Sequence, residues 1–192
     1  MEEEIRQGRD VRVVARCQPA ESRFTAGQIS PLYSGDADWR EFCGMPREAQ
    51  VAAIAQPEWR ERLGRYWRKV PYVVNIIIEK VSNPELKPML GKYLTDIAEV
   101  RGVDPIELMF DIAQQDGMGT IFLLRGRPKN NEADFERILK SPSTLIGISD
   151  GGAHLQTFAG ADYPTYFLQH WVREWKGFTL EVDGHGFIDG VP

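Results

Sequence analysis

The sequence predicts an α/β fold built around a parallel sheet, and three observations carry that prediction. Strand-like and helix-like segments alternate along most of the chain, the order that helical crossovers between parallel strands produce. The best strand-like segment, Val70 to Val81 (VPYVVNIIIEKV), is a near-continuous β-branched run, as expected of a strand buried on both faces. Of the 192 residues, 42% are apolar and 27% charged. That balance supports a real core and excludes the disordered and collagen-like classes.

Taken in order, Glu2 to Arg9 reads as the end of a helix with Gly8 as its stop. Asp10 to Ala15 (DVRVVA) has a Val-rich strand pattern. Cys17 to Gly44 scatters Pro, Gly, Ser and Asp and reads as one long irregular loop. Arg47 to Lys69 has helical spacing broken near Pro57. Asn83-Pro84 opens the next helix with proline at an early position; Leu86, Leu90, Tyr93, Leu94, Ile97 and Ala98 form its apolar stripe and Gly102 ends it. Asp104-Pro105-Ile106-Glu107 reads as a capping box, ahead of a buried face of Ile106, Met109, Phe110 and Ile112, with Gly117 as the stop. Thr120 to Leu124 (TIFLL) is a strand. Asn130 or Asn131 caps a helix carrying Phe135, Ile138 and Leu139, which Ser141-Pro142 terminates. Thr144 to Ile148 (TLIGI) is a short buried strand, and Asp162-Tyr163-Pro164 starts a last aromatic helix through Trp175.

Charge narrows the function classes. The net charge is −5, so the basic footprint of a nucleic-acid binder is missing. The densest cationic stretch, Arg60 to Lys69, is interleaved with Trp59, Tyr66 and Trp67. It reads either as a surface that stacks on bases or as the solvated face of an amphipathic helix. Cys17 and Cys43 form no C-x-x-C pair and no ligand cluster, and a chain of this size does not need a disulfide. Met1-Glu2-Glu3-Glu4 has no apolar core, so no signal peptide is expected. The longest apolar run is too short for a bilayer. A cytoplasmic protein is expected.

Parallel sheets carry their chemistry at the C-terminal ends of their strands. After TLIGI comes Ser149-Asp150-Gly151-Gly152-Ala153-His154, an acid, a hydroxyl and an imidazole within six residues. Three readings stand side by side. One is a strand–turn closed by an Asx-type hydrogen bond. A second is a nucleophile elbow, since GISDG fits G-x-S-x-G; Ser149 would attack, with His170 or His185 as base. The elbow needs a helix directly after the serine, whereas Gly151-Gly152 follow here. In the third, Asp150 is a metal-linked carboxylate that takes a proton from metal-bound water and delivers it to a departing amine.

The stretch LIGISDGGAHL, followed by YPTYFLQHWVRE, resembles the C-terminal barrel segment of amidohydrolase family 3, the group that contains the N-acyl-D-amino acid deacylases. GRDVRVVARCQP is similar to a barrel strand of that family and the start of its long loop. LTDIAEVRGVDPIELMFDIAQQDGMGTIF and NEADFERILKSPSTLIGISDGGAH extend the likeness. The resemblance implies an incomplete TIM-type (β/α)8 barrel of parallel strands, holding about the last three of them. It would occupy 1–192 as one domain, with a long loop over 17–44 and an atypical tail over 182–192. A complete barrel usually needs about 250 residues, so the chain is expected to be a fragment of a longer parent.

The activity implied for that parent is zinc-dependent hydrolysis of a linear amide, with N-acyl-D-amino acids as substrates. Asp150 matches the family's catalytic, metal-binding aspartate. His154 would face the substrate or stand behind the metal. Arg125, near the end of TIFLL, would orient a substrate carboxylate through a bidentate contact, or serve as a surface arginine. His170 would be packed or solvated. The departures bear on activity: the family carries an H-x-H pair on its first barrel strand, and this chain has only His154, His170 and His185. One carboxylate does not hold a catalytic zinc, which takes three protein ligands. The chain by itself is therefore expected to be inactive. The alternatives are a non-catalytic remnant, a subunit completing a barrel with a second chain, or a serine hydrolase acting through Ser149. No membrane or nucleic-acid partner is expected.

Overall fold

In the computed structural model the described residues are 7–9, 11–19, 21–125, 132–141, 143–147, 149 and 161–179. The elements are β1 (Val13–Ala15), β2 (Glu21–Phe24), α1 (Ala37–Cys43), α2 (Arg47–Ile54), α3 (Pro57–Lys69), a 3-10 turn (Pro71–Asn75), β3 (Ile76–Lys80), a second 3-10 segment (Pro84–Met89), α4 (Leu94–Arg101), α5 (Pro105–Gln115), β4 (Ile121–Arg125), α6 (Glu132–Leu139), β5 (Thr144–Ile146) and α7 (Tyr163–Tyr166), which runs on as a π-helical segment, Phe167–Glu174. The chain divides into a continuous unit, Glu21–Arg127, and a discontinuous unit made of Met1–Ala20 and Pro128–Pro192. This is a mixed α/β fold with one small parallel and one small antiparallel sheet.

The continuous unit holds the sheet β2-β4-β3, antiparallel throughout. Phe24, Phe122, Ile76 and Ile78 belong to its core, together with Trp39, Phe42, Leu63, Trp67 and Phe110 from the helices. The rings pack at edge and offset angles; Tyr33 lies 4.4 Å from Trp39, and Phe24 stacks on Trp67 at 5.3 Å, the arrangements that ring quadrupoles favour. The polar ends of Trp39 and Tyr33 are satisfied locally, whereas Trp67 Nε1 is buried without a hydrogen-bond partner among the described residues. Trp39 Nε1 donates to Leu63 O at 3.2 Å, and the Tyr33 hydroxyl reaches Thr25 O and Gln28 O at 2.7 and 2.6 Å. Beyond the core, Arg23 on β2 grips Glu79 on β3 with two nitrogens at 2.8–3.0 Å, so this ion pair spans the central strand. Glu21 lies opposite Arg125 in the β2–β4 register and pairs with it at 2.5 Å.

Helix signals act locally, as their chemistry requires. Asp104 accepts from Ile106 N and Glu107 N at 2.7 and 3.1 Å and starts α5. Gly102 ends α4 at φ +66°, a left-handed position that glycine adopts without strain. A buried carboxylate ties the far end of α5 to the loop after β3. Asp116 accepts from Ser82 N, Asn83 N and Thr120 Oγ1 at 2.8, 2.7 and 2.9 Å.

The discontinuous unit holds β1 and β5 as a parallel pair, in the register Val13–Thr144, Val14–Leu145 and Ala15–Ile146. Its core is small: Cys17, Leu139, Ile146, Phe167, Trp171 and Phe178. Trp175 Nε1 donates to Glu136 Oε2 at 2.9 Å, fastening the end of the π segment to α6.

Several expectations need correction. The alternation predicted parallel strands throughout, but among the described residues only β1 and β5 pair that way. Val70–Val81 and Thr120–Leu124 contribute β3 and β4 to an antiparallel sheet. Burial on both faces did reach β3, where Ile76, Ile77 and Ile78 are all buried, and such burial does not dictate strand direction. The first half of the Val70 run is a 3-10 turn, because Pro71 locks φ and lacks a ladder donor. The loop expected over Cys17–Gly44 contains β2 and α1. The single helix expected from Pro84 is two segments, since Pro88 lies within the first and Gly91 follows it at φ +75°. Of the apolar positions on the helix after Asn131, Leu139 is buried and Ile138 is exposed. The helix expected over Glu2–Arg9 and the Asn130 or Asn131 cap lie largely or wholly outside the described residues. Among the described residues, no helix is long and apolar enough to cross a membrane.

Candidate functional site

Among the described residues the strand-end rule applies to one place, the C-terminal edge of the β1–β5 pair. Gly147 closes that edge by donating its N–H to Ala15 O at 3.0 Å. A Cβ built on Gly147 would lie 2.9 Å from Val14 Cγ1, so the two strand ends approach to a distance that only glycine allows. Ser149 stands two positions further along the chain.

On the β1 side the chain runs into Cys17 and Gln18, which are 0% and 7% exposed. Cys17 Sγ donates to Tyr163 O at 3.3 Å, and Gln18 Nε2 donates to Asp162 Oδ1 at 3.3 Å. Trp171 Nε1 donates to Cys17 O at 2.6 Å. The start of α7 and the indole of its continuation are therefore fixed to the end of β1. Burial pushes the Cys17 thiol up to about 11, offset in part by a backbone hydrogen bond and reinforced by the Asp162 charge. A thiol held there is protonated at neutral pH and is a poor nucleophile. Cys17 and Cys43 are both free thiols.

The sequence-predicted site residues fall unevenly. Asp150 and His154 lie outside the described residues, as does His185. Arg125 is described: it ends β4 in the continuous unit, and its guanidinium is engaged by Glu21. His170 sits on the π segment with Nδ1 3.4 Å from Glu174 Oε2 and its ring 5.2 Å from Tyr166 and 5.0 Å from Trp171. That makes it a packed, carboxylate-paired histidine. Sequence reasoning passed over Cys17, Gln18, Asp162 and Trp171 as a group. The signal available was position alone, since Cys17-Gln18 directly follow a strand of the parallel set.

Among the described residues no three His, Cys, Asp or Glu side chains converge on a point that could hold a metal ion, where a catalytic zinc takes three protein ligands; Asp150 and His154 lie outside them. Arg60 to Lys69 also resolves. In α3, Arg60 pairs with Glu107 and Asp111, Arg62 with Asp38 and Glu41, Arg65 with Asp38, and Arg68 with Glu61 and Glu107. Trp67 is buried. These cations are matched by acids, which favours the solvated-face reading over base stacking.

Compared with protein families, with curated proteins and with solved structures, the chain finds no match.

Proposed function

We propose that the chain is a non-catalytic, barrel-completing subunit, lending the β1–β5 pair and the helices that share its core to a sheet finished by a second chain. One observation carries this reading. Among the described residues β1 and β5 have only each other as neighbours, and Val13 and Val14 are 42% and 45% exposed. Parallel sheets occur with both faces covered, a two-stranded sheet is marginal in water, and open edges recruit further strands. The resemblance to an amidohydrolase barrel supplies the kind of partner: a chain carrying the remaining parallel strands and the H-x-H pair.

Sedimentation of the purified chain over a range of concentrations tests this. Self-association through the open pair is expected, and Val13→Lys, which places a charge on the edge strand, should reduce it. A concentration-independent monomer, unchanged by Val13→Lys, would sink the proposal.

A second reading has one observation in its favour: β5 is a parallel strand ending at Ile146, just before the Ser149–His154 stretch. In a completed assembly Asp150 would handle the proton in hydrolysis of an N-acyl-D-amino acid, with His154 near the substrate. The chain alone should release no amine from such a substrate. Activity of the lone chain, or activity in an assembly that survives Asp150→Asn, counts against this reading. Labelling of Ser149 by a fluorophosphonate would favour the serine hydrolase.

A further inference from the structure

The continuous unit enters and leaves the fold at one point. Glu21, its first residue, and Arg125, the last of β4, are register partners in the β2–β4 ladder and are joined by an ion pair. The discontinuous unit is assembled from the two segments that flank this insertion. Its one ladder among the described residues, Val13 with Thr144 through Ala15 with Ile146, joins those segments across the whole insert.

From this geometry we infer that the continuous unit is an inserted module that folds without help from its flanks, and that its folding is the step that allows β1 and β5 to pair. A parallel pair between distant segments must close a long loop, and the entropy of closure grows with loop length. Folding of the module pins Glu21 beside Arg125. The chain that β1 and β5 must then close shrinks to the segments 16–20 and 126–143, the second holding α6, and the effective concentration of the strands rises about tenfold. The packing is consistent with this dependence. The module has its own aromatic core, with no member shared with the small cluster of the discontinuous unit. Its β3 edge is also capped from within, since Ile78 N donates to Lys92 O and Gly91 N to Ile78 O at 3.2 and 2.8 Å. The coupling runs one way. The discontinuous unit needs the module, and the module does not need the discontinuous unit.

Native-state hydrogen exchange on the full chain in rising urea reads this directly. The amides of Val13 and Gly147, bonded to Ser143 O and Ala15 O, report the discontinuous unit. Those of Ile78 and Gly91 report the module. In the unmodified chain the first pair should lose protection at or below the urea concentration that releases the second, never above it. Trp171→Ala, which removes the centre of the small cluster, should strip Val13 and Gly147 while Ile78 and Gly91 stay within about twofold of their original protection. Phe122→Ala in the module should lower protection in both pairs, by about tenfold or more at Val13 and Gly147. Should Phe122→Ala fail to fold, the urea order and the Trp171→Ala result still decide. The inference is overturned if Val13 and Gly147 outlast Ile78 and Gly91, or if Trp171→Ala melts both units together.

Discussion

In the continuous unit, three antiparallel strands contribute Phe24, Phe122, Ile76 and Ile78 to a core rich in Trp, Tyr and Phe. In the discontinuous unit, two parallel strands share a core of six buried side chains with α6 and the last helix. The first sheet joins its strands by pairings that keep their partners within one contiguous stretch of chain. The second joins segments from opposite ends of the sequence, and its valines face outward on both sides. Stability should therefore be concentrated in the continuous unit. The strand-end position where α/β proteins keep their chemistry falls in the unit with the smaller core.

The largest test of that contrast is Trp39→Ala. Trp39 is fully buried, packs against Tyr33 and donates to Leu63 O, so about 3–5 kcal/mol should be lost. Urea unfolding followed at the Ile78 amide would show it, and a loss below 1 kcal/mol, as for an ordinary surface change, would deny the aromatic core its role. Next comes Asp116→Ala, which strands the Ser82 and Asn83 amides; a cost of about 2–3 kcal/mol is expected. Asp116→Asn keeps an acceptor and should recover part of it, and equal losses for the two variants would argue against the hydrogen bonds as the cause.

On the other side of the comparison, Gly147→Ala pushes a methyl group to 2.9 Å from Val14 Cγ1. It should cost about 1–3 kcal/mol, confined to the Val13 and Gly147 amides. A neutral Gly147→Ala would mean that the strand ends have room to separate.

The smallest effect is alkaline. Burial raises the thiols of Cys17 and Cys43 to about 11 and pushes the Tyr33 phenol further above its ordinary value. Each group is easier to ionise in the unfolded chain. Its contribution is therefore fully present below its unfolded pKa, near 9 for the thiols, and is lost as pH climbs through the folded value. Urea midpoints should fall between pH 9 and 11, more for the continuous unit, which holds both Cys43 and Tyr33. Cys17→Ala should flatten the fall in the discontinuous unit alone, and a flat profile in the unmodified chain would contradict the burial assigned to these groups.

What could be read in advance was what depends on neighbours in sequence. The Asp104 cap, the Gly102 stop and the break at Pro57 are local chemistry, and each stands where the residues put it, although the Glu107 carboxylate expected to complete the box turns to Arg60 and Arg68. Strand β2 could not be read, because Glu21-Ser22-Arg23-Phe24 has little β signal of its own and becomes a strand by pairing with β4. Helix α1 carried a signal that went unused: Asp36 caps it by accepting from Trp39 N at 3.0 Å, but Gly35 and Asp38 on either side read as loop. Strand direction was misread because a run of isoleucines reports burial and is silent on orientation. At the site, Arg125 could be located but not its partner, since Glu21 is brought to it only by the ladder. The link between Trp171 and Cys17 joins opposite ends of the chain, and no local pattern announces it.

The wide turn of the last helix has a consequence for its anchoring. From Phe167 to Glu174 the backbone follows the π pattern, and Trp175 N bonds to His170 O, so each turn takes in one residue more than an α-helix would. A helix that accepts an extra residue in this way leaves the residues before and after it where they were. Trp171 keeps its bond to Cys17 O, and Trp175 keeps its bond to Glu136. The wide turns thus set two indoles four residues apart, at Trp171 and Trp175, onto two different anchors, the end of β1 and α6.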